Sequence, residues 1–124
     1  MTRLSELAQF LVKQPKGILA ADESNATMDN RLLSIGLDGT EFRRKGWREL
    51  IFSTPDLNEY VSGIIMYDET VRQKSQLGQS FVGMLTSFGI VPGVKVDTGT
   101  EHLVDSDGEF LTHGLDGLSK RLRE

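Results

Sequence analysis

The chain has 124 residues, which suits one domain, since single domains commonly run from about 50 to 250 residues. Its net charge of −4 at pH 7 argues against a general nucleic-acid binder, because such proteins are usually basic. It contains no cysteine, which excludes disulfides and thiolate metal sites, and no apolar run approaches the roughly 20 residues of a membrane span. We therefore expect a cytoplasmic location, with no nucleic-acid partner and no membrane partner.

The first stretch, Met1 to Gln14, predicts an amphipathic helix with an apolar face formed by Leu4, Leu7, Phe10 and Leu11. The segment 15–17, which reads Pro-Lys-Gly, ends this pattern. The apolar run Ile18 to Ala21 then predicts a short buried strand, because a continuous apolar run of this length is typical of strands in a parallel sheet.

Two helices are predicted between the first strand and the second. The first has Asn25 or Thr27 as its N-cap and ends at Gly36. Its interior positions, which share one face, are Met28, Leu32 and Ile35. The second helix begins at Thr40 and ends before Pro55. We expect its inward face to carry Trp47, Leu50 and Ile51. We expect its water-facing side to carry Arg43, Arg44, Lys45 and Arg48.

The second and third strands are predicted at Val61 to Tyr67 and at Ile90 to Val96. A helix is predicted between them, with one apolar face formed by Phe81, Leu85 and Phe88. Residues 98–108 follow as a loop or a hairpin, and a last helix begins near Leu115. Strands that are apolar throughout and alternate with amphipathic helices indicate parallel β/α units, so the predicted fold class is α/β with three such units.

Polar side chains follow the predicted strands at their carboxyl ends. Asp22 and Ser24 come directly after the first strand, and Thr27 lies near the start of the next helix. A helix N-terminus favours anions, so hydroxyls there are typical of a phosphate site. Arg31 lies one turn beyond Thr27, and Lys95 lies near the end of the third strand, where its ammonium group suits a phosphate. An Asp-Glu-Ser segment is also typical of simple helix capping, so the residues alone leave both interpretations open.

Several short segments together resemble class I fructose-bisphosphate aldolase, and the resemblance extends from about Lys16 to Arg121. These segments read GILAADES at 17–24, RL at 31–32, SIG at 34–36, GVKVD at 93–97 and GLDGL at 114–118. The variants ESNAT at 23–27 and VPG at 91–93 are similar to the bacterial and plastid branch of the family.

The resemblance implies a TIM (β/α)₈ barrel, of which residues 1–124 form the first three β/α units, the incomplete N-terminal part of a single barrel domain. It implies reversible cleavage of fructose 1,6-bisphosphate to dihydroxyacetone phosphate and glyceraldehyde 3-phosphate, a reaction of glycolysis and gluconeogenesis. The family forms a Schiff base between a lysine and the ketose and needs no cofactor. A sugar-phosphate ligand is therefore expected, and the complete enzyme is expected to be a homo-oligomer.

Individual residues match the family's substrate site. Asp22 matches a catalytic carboxylate beside the Schiff-base nitrogen, which takes part in proton transfer and substrate alignment. The positions that contact the substrate or its phosphates are matched by Ser24, Thr27, Arg31, Lys45 and Lys95. The sequence departs from the family at Asn30, where a lysine is common, and this departure weakens one expected phosphate contact.

The family's Schiff-base lysine and its acid–base glutamates lie on later strands, so we expect the 124-residue chain by itself to be inactive. Lys95 is an alternative nucleophile, since other aldolases use a desolvated lysine at a strand end. The resemblance favours phosphate binding for this lysine.

Two functions other than catalysis stay open from the sequence: a non-catalytic module that binds a sugar phosphate or a partner chain, and a truncated gene product. His102 and His113 stand alone in polar sequence, so no metal site is predicted. A plastid location replaces the cytoplasmic one if the source is a plant or an alga.

Overall fold

The structure, a computed structural model, describes residues 3–123. Met1 and Thr2, at the start of the predicted N-terminal helix, and Glu124, at the end of the predicted domain, lie outside the described residues. The chain divides into two compact units, which meet in the sequence between Val94 and Lys95. Among the described residues, no helix combines the length and the apolar character needed to cross a bilayer.

The first unit is an α/β structure. Its helices are α1 (Leu4–Leu11), α2 (Asn25–Ser34), α3 (Glu41–Phe52), α4 (Leu57–Tyr60), α5 (Asp68–Val71) and α6 (Phe81–Ser87). Its strands are β1 (Gly17–Ala21), β2 (Val61–Met66) and β3 (Val91–Val94). The second unit contains the strands β4 (Gly99–His102) and β5 (Phe110–His113) and the helix α7 (Leu118–Arg121).

The three strands of the first unit form a parallel sheet in the order β1-β2-β3. Residues 18–21 pair with 63–66, and residues 63–66 pair in turn with 91–94. The predicted alternation of parallel strands and helices is confirmed. The third strand, Val91–Val94, is shorter than the predicted Ile90 to Val96, and its pairing with β2 ends at Val94, opposite Met66, the last residue of β2.

The core of the first unit is a cluster of buried apolar side chains from the sheet, α3, α6 and the connection between α6 and β3. Its members are Ala21, Phe52, Ile64, Met66, Phe81, Met84, Leu85 and Ile90. The rings of Phe52 and Phe81 pack edge to face, with centroids 5.2 Å apart. Such contacts add to the free energy gained by burying apolar area. This core fixes α3 against the sheet and so sets which of its faces is buried.

The buried face of α3 differs from the predicted one. Phe52 and Arg48, one turn apart, are buried, whereas Trp47 is 39% exposed and Leu50 is 64% exposed. The prediction that Trp47 and Leu50 face inward and that Arg48 faces water is therefore wrong. The cause is that Phe52 enters the core, and Arg48 then faces the same way and meets a carboxylate. Arg44, on the same side, is also largely buried.

The first two helices also depart in detail from their predictions. On α1, the predicted apolar face is largely open, since Leu4 is 85% exposed. The N-cap of α2 is Ser24, rather than Asn25 or Thr27. Met28 and Leu32 are buried as predicted, but Ile35 lies past the last turn of α2, at its C-cap, and is exposed.

The second unit is a β-hairpin followed by the single-turn helix α7. Residues 99–102 pair antiparallel with residues 110–113, which confirms a hairpin after the third strand. The two histidines, which stand alone in the sequence, both have contacts within this hairpin. The ring of His102 packs on Phe110, and His113 Nε2 lies 3.0 Å from the Glu101 carboxylate. Arg121 ties α7 to the start of this unit by donating a hydrogen bond to the Val96 carbonyl. The last helix begins at Leu118, later than predicted.

Candidate functional site

The candidate site begins where β1 ends. Ala21 is the last residue of β1 and is 2% exposed, and the next residue, Asp22, is half-buried. Residues 22–24 then form a short connection between β1 and α2. Polar residues at the carboxyl end of a parallel strand face the edge of the sheet where ligands of α/β proteins bind. The predicted catalytic carboxylate therefore lies at the end of a rigid strand.

Two hydroxyls lie at the first turn of α2. The Ser24 side-chain oxygen accepts a hydrogen bond from the Thr27 backbone N–H at 3.3 Å, and the two hydroxyl oxygens lie 3.0 Å apart. The helix that they begin has 10 residues, so its backbone dipole favours a negative charge at this end. Ser24 and Thr27, two of the predicted phosphate-binding residues, are thus in direct contact.

Glu23 links Arg31 to this segment. One oxygen of the Glu23 carboxylate pairs with Arg31, on α2, and the other lies 2.6 Å from Arg48, on α3. The Arg31 side chain is 60% exposed, and the Arg48 side chain is only 3% exposed. The exposed arginine can meet a ligand, while the buried one cannot leave its carboxylate without losing a charge-assisted contact.

The pKa of the Glu23 carboxyl is lower than its ordinary value. Burial alone would raise that pKa, but hydrogen bonds from the backbone and from Arg48, together with the positive charges of Arg48 and Arg31, outweigh the burial. Glu23 is therefore ionised at neutral pH and holds both guanidinium groups by charge.

A second arginine of α3, Arg44, lies one turn before Arg48 and forms a similar ion pair, with Glu69. Arg44 donates hydrogen bonds to both oxygens of the Glu69 carboxylate, at 2.9 and 2.7 Å, and a third to Asp29 at 2.7 Å. The Glu69 carboxylate also accepts a hydrogen bond from the Asn25 side chain at 3.0 Å. The hydrogen bonds to Glu69, followed by that to Asp29, raise the pKa of Arg44 despite its burial. Since Asn25 is the first residue of α2, this cluster fixes the same helix end that holds Ser24.

The two lysines of the predicted site lie apart in the chain. Lys45 follows Arg44 on α3 and is half-buried. Lys95 begins the second unit, and its Nζ lies 2.7 Å from Asp97. The hydrogen bond from Lys95 is the main cause of the lowered pKa of the Asp97 carboxyl and outweighs desolvation, which would raise that pKa. The phosphate-binding role of both lysines stays a prediction. Of the other predicted ligands, Ser24 and Thr27 contact each other directly, and Arg31 pairs with Glu23, the residue before Ser24.

The sequence interpretation missed the charged network behind the site. It treated Glu23 as part of a motif without a partner and placed Arg44 and Arg48 in water, and it gave Glu69 no role. A signal for the network exists in the sequence: Glu23 and Glu69 each follow a buried strand, and two arginines one turn apart can meet two such carboxylates. Buried carboxylates need a partner of opposite charge, so these arginines are the natural candidates.

This arrangement can bind an anion and move a proton. Asp22 offers a carboxylate beside the N-terminus of α2, which carries two hydroxyls, and Arg31 offers a guanidinium group one turn further along the same helix. A guanidinium group binds phosphate with paired hydrogen bonds, and a half-buried carboxylate serves as a general acid or base.

Comparison with known proteins identifies the family. The family model described as "Fructose-bisphosphate aldolase class-I" matches residues 3–124. The "Probable fructose-bisphosphate aldolase class 1" of Xanthomonas axonopodis pv. citri (strain 306) is 47% identical over 122 residues, which cover 98% of this chain and 36% of that protein. The "Fructose-bisphosphate aldolase, cytoplasmic isozyme" of Cicer arietinum is 46% identical over 114 residues, which cover 92% of this chain and 32% of that protein.

A solved structure agrees with these sequences. Fructose-bisphosphate aldolase from Plasmodium falciparum, in complex with TRAP and a small molecule inhibitor, matches with a TM-score of 0.89 at 43% identity and covers 93% of this chain and 33% of that one. The chain thus spans about a third of the length of the curated relatives it matches. Both the sequence and the fold of the chain lead to one conclusion: it belongs to the class I fructose-bisphosphate aldolase family.

Proposed function

We propose that this chain is the phosphate-binding and proton-transferring part of a Schiff-base fructose-bisphosphate aldolase. The observation that carries the proposal is the segment at the end of β1, where Asp22, the Ser24–Thr27 pair and the Arg31 contact lie within one short stretch of a chain that belongs to this family. Each of these side chains is of the type that a sugar-phosphate site needs.

The proposed role of Asp22 is proton transfer beside the imine. In a Schiff-base aldolase, the imine of a lysine with the ketose withdraws electrons from the bond that breaks. A carboxylate beside the imine nitrogen stabilises its positive charge and exchanges protons with the substrate. Asp22 suits this role because its half-buried position at a strand end limits both its motion and its contact with water.

The proposed role of the other residues is to hold a phosphate of the substrate. Ser24 and Thr27 supply hydroxyls at the start of α2, and Arg31 supplies a guanidinium group. Lys45 and Lys95 supply point charges, which attract phosphate without fixing its orientation. The substrate proposed for the whole protein is fructose 1,6-bisphosphate, in keeping with the names of the relatives.

The proposal extends to the architecture of the whole protein. We place β1, β2 and β3 as the first three strands of one (β/α)₈ barrel domain to which residues 1–124 belong. The three-stranded parallel sheet supports this placement, since its order follows the chain as in a barrel. A homo-oligomer in the cytoplasm is proposed with it, and the cytoplasmic isozyme of Cicer arietinum supports that location.

The experiment uses the native gene product that contains these residues, with Asp22→Asn and Arg31→Met as variants. We expect Asp22→Asn to lower kcat for cleavage of fructose 1,6-bisphosphate by about 10²-fold or more, with little change in the Kd of dihydroxyacetone phosphate. We expect Arg31→Met to raise that Kd by about tenfold, because a charge-assisted contact is lost. Calorimetric titration measures the Kd values, and a coupled spectrophotometric assay measures cleavage.

Arg43→Met is the matched control, because Arg43 lies on α3 and is not one of the proposed ligands. Its kcat and Kd should equal those of the unchanged protein. Binding of dihydroxyacetone phosphate without any cleavage would contradict the enzyme and favour a non-catalytic sugar-phosphate module. Absence of both binding and cleavage would contradict the proposed function altogether.

A further inference from the structure

Arg48 contacts Glu23 at two points of different kind. Its Nη1 donates to the carboxylate at 2.6 Å, and its Nη2 donates to the Glu23 backbone carbonyl at 3.1 Å. The side chain of Arg48 is 3% exposed, so water has little access to either hydrogen bond and does not readily replace it. One guanidinium group thus fixes both the side chain and the main chain of a single residue in the β1–α2 connection.

From these contacts we infer that Arg48 is a positioning residue for the substrate site. This inference rests on the proposed function. Arg48 does not reach the substrate itself. It acts through Glu23, whose neighbours in the chain are Asp22 and Ser24 and whose carboxylate also holds Arg31. The loss of Arg48 therefore disturbs the site while leaving every proposed ligand in the sequence.

The main-chain contact bears on Ser24. The carbonyl of Glu23 belongs to the peptide plane that it shares with the nitrogen of Ser24. When Nη2 of Arg48 holds this carbonyl, it fixes the orientation of that plane and so the direction in which the N-cap residue leaves it. The hydroxyl of Ser24 depends on this direction for its contact with Thr27.

The side-chain contact bears on Arg31. Because Nη1 of Arg48 holds one carboxylate oxygen, the other oxygen is turned toward α2 and pairs with Arg31. The side chain of Arg31 is 60% exposed and would otherwise sample many rotamers. A guanidinium group held in one place loses less entropy when a phosphate binds than a freely moving one does.

The burial of this ion pair argues for a role beyond stability. Removing an arginine and a carboxylate from water costs free energy that their attraction only partly restores, so a pair of apolar side chains of similar volume in place of both often serves folding equally well. The geometry that Arg48 imposes on Glu23 is the role that the pair serves beyond stability.

The test is a double-mutant cycle on the native gene product. The variants are Arg48→Met, Arg31→Met and both together, and the readout is the Kd of dihydroxyacetone phosphate by calorimetric titration at a temperature at which each variant is folded. If Arg48 acts through Arg31 and the β1–α2 connection, Arg48→Met raises the Kd by about tenfold in the unchanged background and clearly less in the Arg31→Met background. Arg43→Met, on the same helix, should leave the Kd unchanged.

A second substitution covers the case in which Arg48→Met does not fold. Arg48→Lys keeps a positive charge, but lysine lacks the planar guanidinium group that donates to the carboxylate and to the carbonyl at the same time. The inference expects Arg48→Lys to raise the Kd by several-fold and to show the same reduced effect with Arg31→Met.

Two results would overturn the inference alone: an unchanged Kd in both Arg48 variants, or effects of Arg48 and Arg31 that are simply additive. A protein that binds no dihydroxyacetone phosphate before any substitution would overturn the proposed function, and the inference with it. The cycle thus separates the two failures.

Discussion

At the scale of single residues, the candidate site depends on one carboxylate that binds two arginines. Glu23 holds the exposed Arg31 with one oxygen and the buried Arg48 with the other. Burial would raise the pKa of Glu23, but the hydrogen bonds from the backbone and from Arg48, together with the positive charges of Arg48 and Arg31, lower it below its ordinary value. The residue next to the predicted catalytic Asp22 is therefore a fixed negative charge that orders the site.

The lowered pKa of Glu23 predicts a pH dependence of stability. Because the pKa in the folded protein lies below the ordinary value of 4.5, ionised Glu23 stabilises the fold fully above about pH 4.5, and the contribution is lost as the pH falls through the lowered pKa. In Glu23→Gln this contribution is absent at every pH. The difference in unfolding free energy between the two proteins should be largest near pH 6 and shrink toward pH 3.

Urea unfolding at half-unit pH steps measures this difference. Glu59→Gln, a change at an exposed glutamate on α4, controls for the loss of a charge. A difference between the unchanged protein and Glu23→Gln that stays constant from pH 6 to pH 3 would show that the Glu23 carboxylate does not stabilise the fold through its charge.

At the scale of elements, α3 joins the carboxyl ends of two neighbouring strands. Arg48 binds Glu23 after β1, and Arg44, one turn earlier, binds Glu69 after β2. The same helix places Phe52 in the core, so its position relative to the sheet is fixed by packing as well as by charge. The loop that carries Asp22 is thereby attached to the rigid part of the first unit.

This role of α3 predicts unequal costs for two similar substitutions. Arg44→Met leaves Asp29 and Glu69 without their cation in a largely buried place, and should lower the unfolding free energy by about 2–3 kcal/mol. Arg72→Met removes an arginine whose pair with Asp68 is about half exposed, and should cost less than about 1 kcal/mol. Chemical unfolding at neutral pH compares them. Equal costs would mean that the Arg44 cluster does not anchor α3.

The elements also show where sequence patterns predict structure and where they do not. The three apolar runs predicted the three parallel strands correctly, because continuous apolar runs are typical of strands in a parallel sheet. The predicted burial of the first strand was wrong, since Ala21 is the one buried residue of β1 and Ile18 is 48% exposed, whereas β2 is largely buried. The face of α3 was predicted wrongly because paired, buried arginines and solvated arginines look alike in a sequence. The partner of Arg48, Glu23, is distant in the chain, and only the fold brings the two together.

At the scale of the whole molecule, family membership connects a local site to a proposed reaction. The short motifs at 17–24 and 93–97 were sufficient to indicate the family, and the comparisons confirm it over residues 3–124. The roles of individual residues stay predictions, because the geometry of the chain gives their positions and partners but not their ligands. In the second unit, Lys95 Nζ lies 2.7 Å from Asp97, and its proposed contact with a phosphate stays a prediction.

The central claim is that this chain serves a Schiff-base aldolase in which Lys95 binds phosphate and is not the nucleophile. The most direct measurement is to incubate the native gene product with dihydroxyacetone phosphate, reduce it with sodium borohydride and map the modified peptide by mass spectrometry. We predict one covalent adduct, on a lysine other than Lys95. An adduct on Lys95, or no adduct at all, would contradict the account.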